Sequence, residues 1–131
     1  MSALVFVDTS VWIDALRGRP RTTGARLRVL LDEDRVGLAV PVRLEILSGA
    51  SQHDFHRLSQ DLSALPAFYP SRSTWRRMEG WLEVAGRYGE RFAVADLLIA
   101  AIASEQNGKL WSRDHDFVRL SNLGFVELFD P

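Results

Sequence analysis

Ala3-Leu4-Val5-Phe6-Val7 is an unbroken apolar run that ends on Asp8, Thr9 and Ser10. The run is too short for a helix core, and its β-branched and aromatic content predicts a strand buried on both faces. Val11-Trp12-Ile13-Asp14-Ala15-Leu16-Arg17-Gly18 follows, amphipathic and closed by glycine, which predicts a helix. A doubly covered strand that passes at once into a helix belongs in an α/β fold. It delivers Asp8 to the carboxyl edge of the sheet, where open α/β sheets build their sites.

The alternation continues along the chain. Thr22-Thr23 stand before a helix expected from about Gly24 to Asp34, with Leu27, Leu30 and Leu31 on one stripe. Arg35 to Val40 reads as a second strand, and Pro41 suits the first turn of a helix from Val42 to Ala50. A polar helix is expected around Asp54 to Ser63 and a third strand from Leu65 to Phe68. Ser71 or Ser73 caps a longer helix through Trp75, Met78, Leu82 and Ala85, ended by Gly86 and Gly89. Ala93 to Glu105 is an apolar helix stopped by Asn107-Gly108, and Lys109 to Ser112 and Gly124 to Phe129 complete five strands. Strands alternating with helices predict a mostly parallel sheet with helices on both faces. The length of 131 residues, without repeat or linker, fits one domain over 1–131.

Composition removes several function classes. A net charge of −1 gives no whole-chain basic field to recruit nucleic acid. The basic residues are nearly all arginine, with Lys109 the only lysine, a bias that suits bidentate contacts to carboxylate or phosphate. The absence of cysteine excludes disulfides, thiolate metal sites and cysteine nucleophiles, and fits a reducing cytoplasm. The first apolar run lacks a basic flank and is short for a signal peptide, and no stretch approaches the roughly 20 apolar residues that span a bilayer. A cytoplasmic protein with no membrane partner is expected.

Four carboxylates are expected at one edge. Glu45 lies in Val42-Arg43-Leu44-Glu45-Ile46-Leu47, apolar nearly all round, so it is expected to be at least partly buried. Asp96 is the only charge among Ala93 to Ile102, in the first turn of that helix. Asp114 follows the strand Leu110-Trp111-Ser112, with Asp116 two residues on. Each has a plain reading too: Asp8 as a helix cap, Glu45 and Asp96 as partners of helix dipoles, Asp114 as a turn residue. Together they repel one another, and the one close basic candidate, Arg113, points away from Asp114 in an extended segment. A hard divalent cation relieves such repulsion, and oxygen-only ligation suits Mg2+ or Mn2+. Such an ion polarises phosphate and generates a hydroxide nucleophile.

Val7-Asp8-Thr9-Ser10-Val11-Trp12-Ile13, Glu45-Ile46-Leu47-Ser48-Gly49, Ala95-Asp96-Leu97-Leu98-Ile99-Ala100 and Trp111-Ser112-Arg113-Asp114-His115-Asp116-Phe117 resemble the ordered motifs of PIN-domain nucleases. Length and spacing are similar to the VapC-type toxins of type II toxin–antitoxin pairs. Each motif alone is weak, but four in order over almost the whole chain are specific. The resemblance implies a three-layer α/β/α PIN fold with a five-stranded sheet. It also implies a Mg2+- or Mn2+-dependent endoribonuclease leaving a 5′-phosphate, a homodimer, and a cognate VapB-like antitoxin peptide. By match, Asp8, Glu45, Asp96 and Asp114 are the acidic site and metal residues and Asp116 is an additional acid of some members. Ser10 and Ser112 match hydroxyls that orient carboxylates, with serine at 112 where threonine is common. The residues leave open whether Glu45 and Asp114 complete the metal shell or orient the attacking water.

Other features are assigned elsewhere. His53 and His56, i and i+3 on a polar helix, read as a solvated face, and His115 is turned away by alternation in an extended segment. Trp75 and Trp81 read as core or dimer contact. Arg17, Arg19 and Arg21 either steer RNA phosphates or decorate a solvated loop. Two other function classes share the acidic pocket. A receiver domain would need a lysine at the site, and Lys109 sits at the wrong end of its strand; a silent binding module would keep the fold without the reaction. The antitoxin is expected to use apolar surface from Val11, Trp12 and Leu16 and from Val42, Ile46 and Leu47, not all of which can face outward.

Overall fold

β1 (Val5–Val7) is the middle strand of a five-stranded sheet in the computed structural model, which describes residues 3–131. The chain continues through α1 (Thr9–Arg17), α2 (Arg21–Asp32), β2 (Val36–Ala39), α3 (Val40–Ser48), α4 (Gln52–Leu62) and β3 (Ala67–Phe68). It ends with α5 (Arg72–Arg87), α6 (Val94–Glu105), β4 (Lys109–Trp111), α7 (His115–Asn122) and β5 (Glu127–Leu128). The strand order is β3-β2-β1-β4-β5, and every pairing is parallel, where the sequence predicts a mostly parallel sheet. Val5, Phe6 and Val7 and the four residues of β2 are all buried, so helices cover both faces and the architecture is α/β/α. The edge strands β3 and β5 have two residues each, too short to template pairing with another chain.

Phe6 explains the tightness of the centre. In register it lies opposite Gly37 of β2 and Leu110 of β4. A Cβ at Gly37 would stand 3.0 Å from its ring, and one at Gly108 would stand 2.6 Å from it. The ring fills space those glycines leave and meets Phe68 edge-on at 5.2 Å.

Boundaries differ from the sequence expectation where capping chemistry is not by side chain. α2 begins at Arg21 behind Pro20, with Thr22 and Thr23 inside its first turn, because the fixed φ of proline starts the helix. α3 begins two residues early, at Val40, with Pro41 still in the first turn. α5 runs through Gly86 to Arg87, and Gly89, at φ +69°, makes the turn. The segment after β4 is the helix α7, not extended chain. Its buried Phe117 and Leu120 give only one i, i+3 repeat, too little to announce a helix.

Candidate active site

The β1–β4 pairing seats the first acid. The Asp8 N–H donates to the Trp111 carbonyl at 2.8 Å, which sets the end of β1 beside Ser112. Asp8 Oδ2 then accepts from the hydroxyls of Ser10 at 2.9 Å and Ser112 at 2.8 Å, and Asp8 is buried. The same side chain caps α1 by accepting from the Ser10 N–H. The cap and site readings of Asp8 are therefore one geometry.

Asp114 repeats this design. It is the N-cap of α7, its Oδ1 accepting from the Asp116 N–H at 2.9 Å, and its own N–H donates to Ser112 Oγ at 2.9 Å. Ser112 thus ties Asp8 and Asp114 together across two elements. The helical turn brings Asp116 back toward Asp114, so the alternation assumed for an extended segment does not apply. His115 is exposed on that turn. Arg113 is committed to the buried Asp14 of α1, Nε to Oδ2 at 2.6 Å. His53 and His56 are exposed on α4, Trp81 stacks on Phe125 at 4.7 Å, and Trp75 is half-exposed.

Asp96 lies in the first turn of α6, where the helix dipole favours a carboxylate. One carboxylate oxygen from each of Asp96, Asp114 and Asp116 lies within 4.8 Å of the others. Asp8 and Glu45 stand outside that triplet but act on it electrically. Burial pushes the Asp96 pKa up from 3.8 to about 6, helped by the charges of Asp114, Asp116, Asp8 and Glu45 in that order. Glu45 is less enclosed than the sequence suggests: α3 buries only Val42 and Ile46, and Glu45 lies at the surface beside Leu44 with its carboxyl group partly screened from water. Loss of water around the carboxyl group and the neighbouring Asp8 still raise its pKa. The Thr9 hydroxyl pulls the other way only loosely, since its buried oxygen has no partner at bonding distance among the described residues.

The sequence reading missed Arg119. Its Nη1 donates to Asp116 Oδ1 at 2.9 Å and its Nε to Glu90 Oε2 at 2.8 Å. The i, i+3 spacing of Asp116 and Arg119 is the signal, but only once α7 is known to be a helix.

The raised carboxyl pKa makes metal-free stability depend on pH. Because Asp96 binds its proton more tightly folded than unfolded, its contribution is fully present below about 3.8 and lost as pH rises through about 6. Metal-free protein is therefore expected to melt higher at pH 5 than at pH 7 in calorimetry, and Asp96→Asn to flatten that difference. Equal wild-type melting temperatures at the two pH values would contradict the raised Asp96 pKa that burial and the neighbouring charges produce.

The fold and these acids define a PIN domain: the PIN-domain family model matches residues 5–123, and the chain belongs to that family. Within it the chain belongs with the VapC ribonucleases. It is 31% identical to Ribonuclease VapC11 of Mycobacterium tuberculosis, covering 92% of this chain and 96% of the relative. With Ribonuclease VapC18 of the same species it shares 32% identity, over 89% and 87% of the two chains. Among solved structures, VapBC2 from Rickettsia felis bound to a promoter DNA fragment superposes with a TM-score of 0.79 at 18% identity, covering 96% and 97% of the chains. VapBC-1 from nontypeable Haemophilus influenzae gives 0.78 at 22% identity, covering 97% of each chain. Membership in this family removes the receiver-domain alternative.

Proposed function

We propose that this chain is the toxin of a type II toxin–antitoxin pair, a Mg2+- or Mn2+-dependent endoribonuclease formed by one domain over 1–131. The observation that carries the reading is the convergence of five carboxylates, three of them within 4.8 Å, on one sheet edge in a VapC-like chain. The donor set fits a hard divalent ion. It is all oxygen and mutually repelling, and Arg119 is the one cation paired within it among the described residues.

Asp96, Asp114 and Asp116 would hold the ion, and Asp8, oriented through Oδ2 by two serine hydroxyls, borders the same space. When bound, such an ion supplies charge to a phosphate oxygen and makes a water acidic enough to attack at neutral pH. Glu45, outside the carboxylates that would hold the ion and with its pKa raised by loss of water and by Asp8, is suited to take a proton from the attacking water. The product is an RNA cut with a 5′-phosphate.

An antitoxin peptide has a surface to occupy. Val11, Trp12, Val42 and Ile46, expected there from sequence, are all buried in the core, but edges of Trp12 and Ile46 join the exposed Leu16 and the half-buried Leu58 in lining a groove of about 840 Å³ between α1, α2, α3 and α4. A neighbouring cavity shares Leu16 and Ile46 and reaches Glu45. An amphipathic helix in the groove with a basic side chain reaching past Glu45 toward Asp8 and Asp96 would compete with the metal for the site. We place the pair in the cytoplasm, with the toxin as a homodimer.

Incubation of purified chain with single-stranded RNA in Mg2+, Mn2+ or chelator tests the reading. Cleavage is expected only with metal, and to stop when the product of the adjacent gene is co-purified. Failure to cut diverse RNA in Mn2+ removes the nuclease; cutting that no neighbouring product inhibits removes the toxin assignment alone.

A further inference from the structure

Arg119 spends its whole guanidinium on one junction. Besides Asp116 and Glu90, its Nη2 donates to the Arg91 carbonyl at 3.0 Å, and its Cζ lies 4.5 Å from the centre of the Phe92 ring. Glu90, Arg91 and Phe92 belong to the segment that leads into α6, and Asp96 follows four residues after Phe92. The guanidinium therefore joins the α7 acid to the run-in of the helix that bears Asp96.

We propose that Arg119 is a positioning residue for the metal-binding carboxylates: it fixes Asp116 through Oδ1, and by gripping residues 90–92 it sets α6 and Asp96 against α7. The inference rests on the metal-site reading above. Two physical effects compete here. As a plain positive charge, Arg119 would weaken cation binding, and its removal would tighten it. As an orienting partner, it holds two carboxylates in register, and its removal loosens the site. The geometry favours the second role. The contacts go to three different acceptors and one ring face, and a lysine of equal charge cannot make them together.

Calorimetric titration of Mn2+ into the metal-free full chain tests this without relying on activity. Arg119→Lys and Arg119→Gln are expected to weaken Mn2+ binding by about 10–100-fold, the usual cost of losing a partner that orients a metal ligand. In an Asp116→Asn background, Arg119→Lys is expected to lose a substantial part of its effect, because the two residues act in series. A general loss of structure would not give that coupling. Unchanged or tightened Mn2+ affinity in Arg119→Lys overturns the proposal, as does full additivity with Asp116→Asn. If the Arg119 variants do not fold, Glu90→Gln carries the test: it leaves Asp116 in place and slackens only the grip on residues 90–92. Several-fold weaker Mn2+ binding then supports the proposal, and unchanged binding overturns it. Asp96→Asn in the same titration separates the two readings. If it binds Mn2+ like wild type, the metal site is wrong and the Arg119 role falls with it; if it loses binding, the site stands whatever Arg119 does.

Discussion

Asp96→Asn is expected to give a folded protein that cleaves RNA at least about 100-fold more slowly, since losing even an orienting partner of a metal ligand costs 10–100-fold. Asp96 belongs to the closest carboxylate triplet and is the residue on which the charges of all four other acids act. Amide for carboxylate keeps the volume and removes one charge from a repelling set. The metal-free variant should therefore melt somewhat above wild type at pH 7. Each unit of pKa shift corresponds to about 1.4 kcal/mol, and solvent screening in a partly open pocket reduces the gain to about 1 kcal/mol. The response to metal should invert. A cation that binds only the folded state stabilises by about 2.7 kcal/mol at a hundredfold excess over its Kd, or roughly 10 °C for a chain of this size. Wild type should gain that in saturating Mn2+ and Asp96→Asn very little of it. Thermal melts with Mn2+ and with chelator, beside an RNA cleavage assay, check both halves. A folded variant that cleaves at the wild-type rate removes Asp96 from the site.

The legible part of this chain is the part written in long or strongly apolar stretches. Val5–Val7 announces a central strand because nothing else buries so short an apolar run, and its position places Asp8. Asp96 stands out because Leu97, Ile99, Ala100 and Ile102 around it are buried, so an ionised group there needs a reason. The illegible part is where short range and long range cannot be told apart. α7 has too few apolar residues to show a period, and with it went the i, i+3 link from Asp116 to Arg119. The contacts of Arg119 to Glu90 and Arg91 span 29 and 28 residues, which no local pattern records. Glu45 is legible only in part. Leu44 looks like core in a linear reading but is 62% exposed, so the apolar surroundings of Glu45 are partly a surface. Glu45 itself lines the smaller cavity that shares Leu16 and Ile46 with the groove offered to the antitoxin.

Phe6→Ala is expected to be the most damaging single truncation, at about 3–5 kcal/mol of a total stability that for such domains is about 5–15 kcal/mol. The ring is 1% exposed on the central strand, and the neighbouring glycines bring no atoms that could move in to fill the hole. The converse change shows the same packing from the other side. A methyl group at Gly108 would meet the Phe6 ring at 2.6 Å and the Leu4 carbonyl oxygen at 3.1 Å. One of these is a ring held in a close-packed core and the other is backbone, so neither yields easily, and Gly108→Ala should cost about 1–3 kcal/mol. The two sites share one volume. Gly108→Ala should therefore cost less in a Phe6→Leu background than alone, with a coupling of at least about 0.5 kcal/mol in urea unfolding. The consequence reaches the acids. Phe6 precedes Asp8 by two residues, and Asp8 is seated by the β1–β4 pairing that begins at Val5 and Lys109. A strand that loses Phe6 loses the anchor that presents Asp8 to Ser10 and Ser112. Residual folded Phe6→Ala should accordingly bind Mn2+ more weakly than wild type, even though the substitution touches no carboxylate. Destabilisation below about 1 kcal/mol, or strictly additive costs with Gly108→Ala, would show that the sheet centre relaxes around the missing ring and that its packing does not hold the site in place.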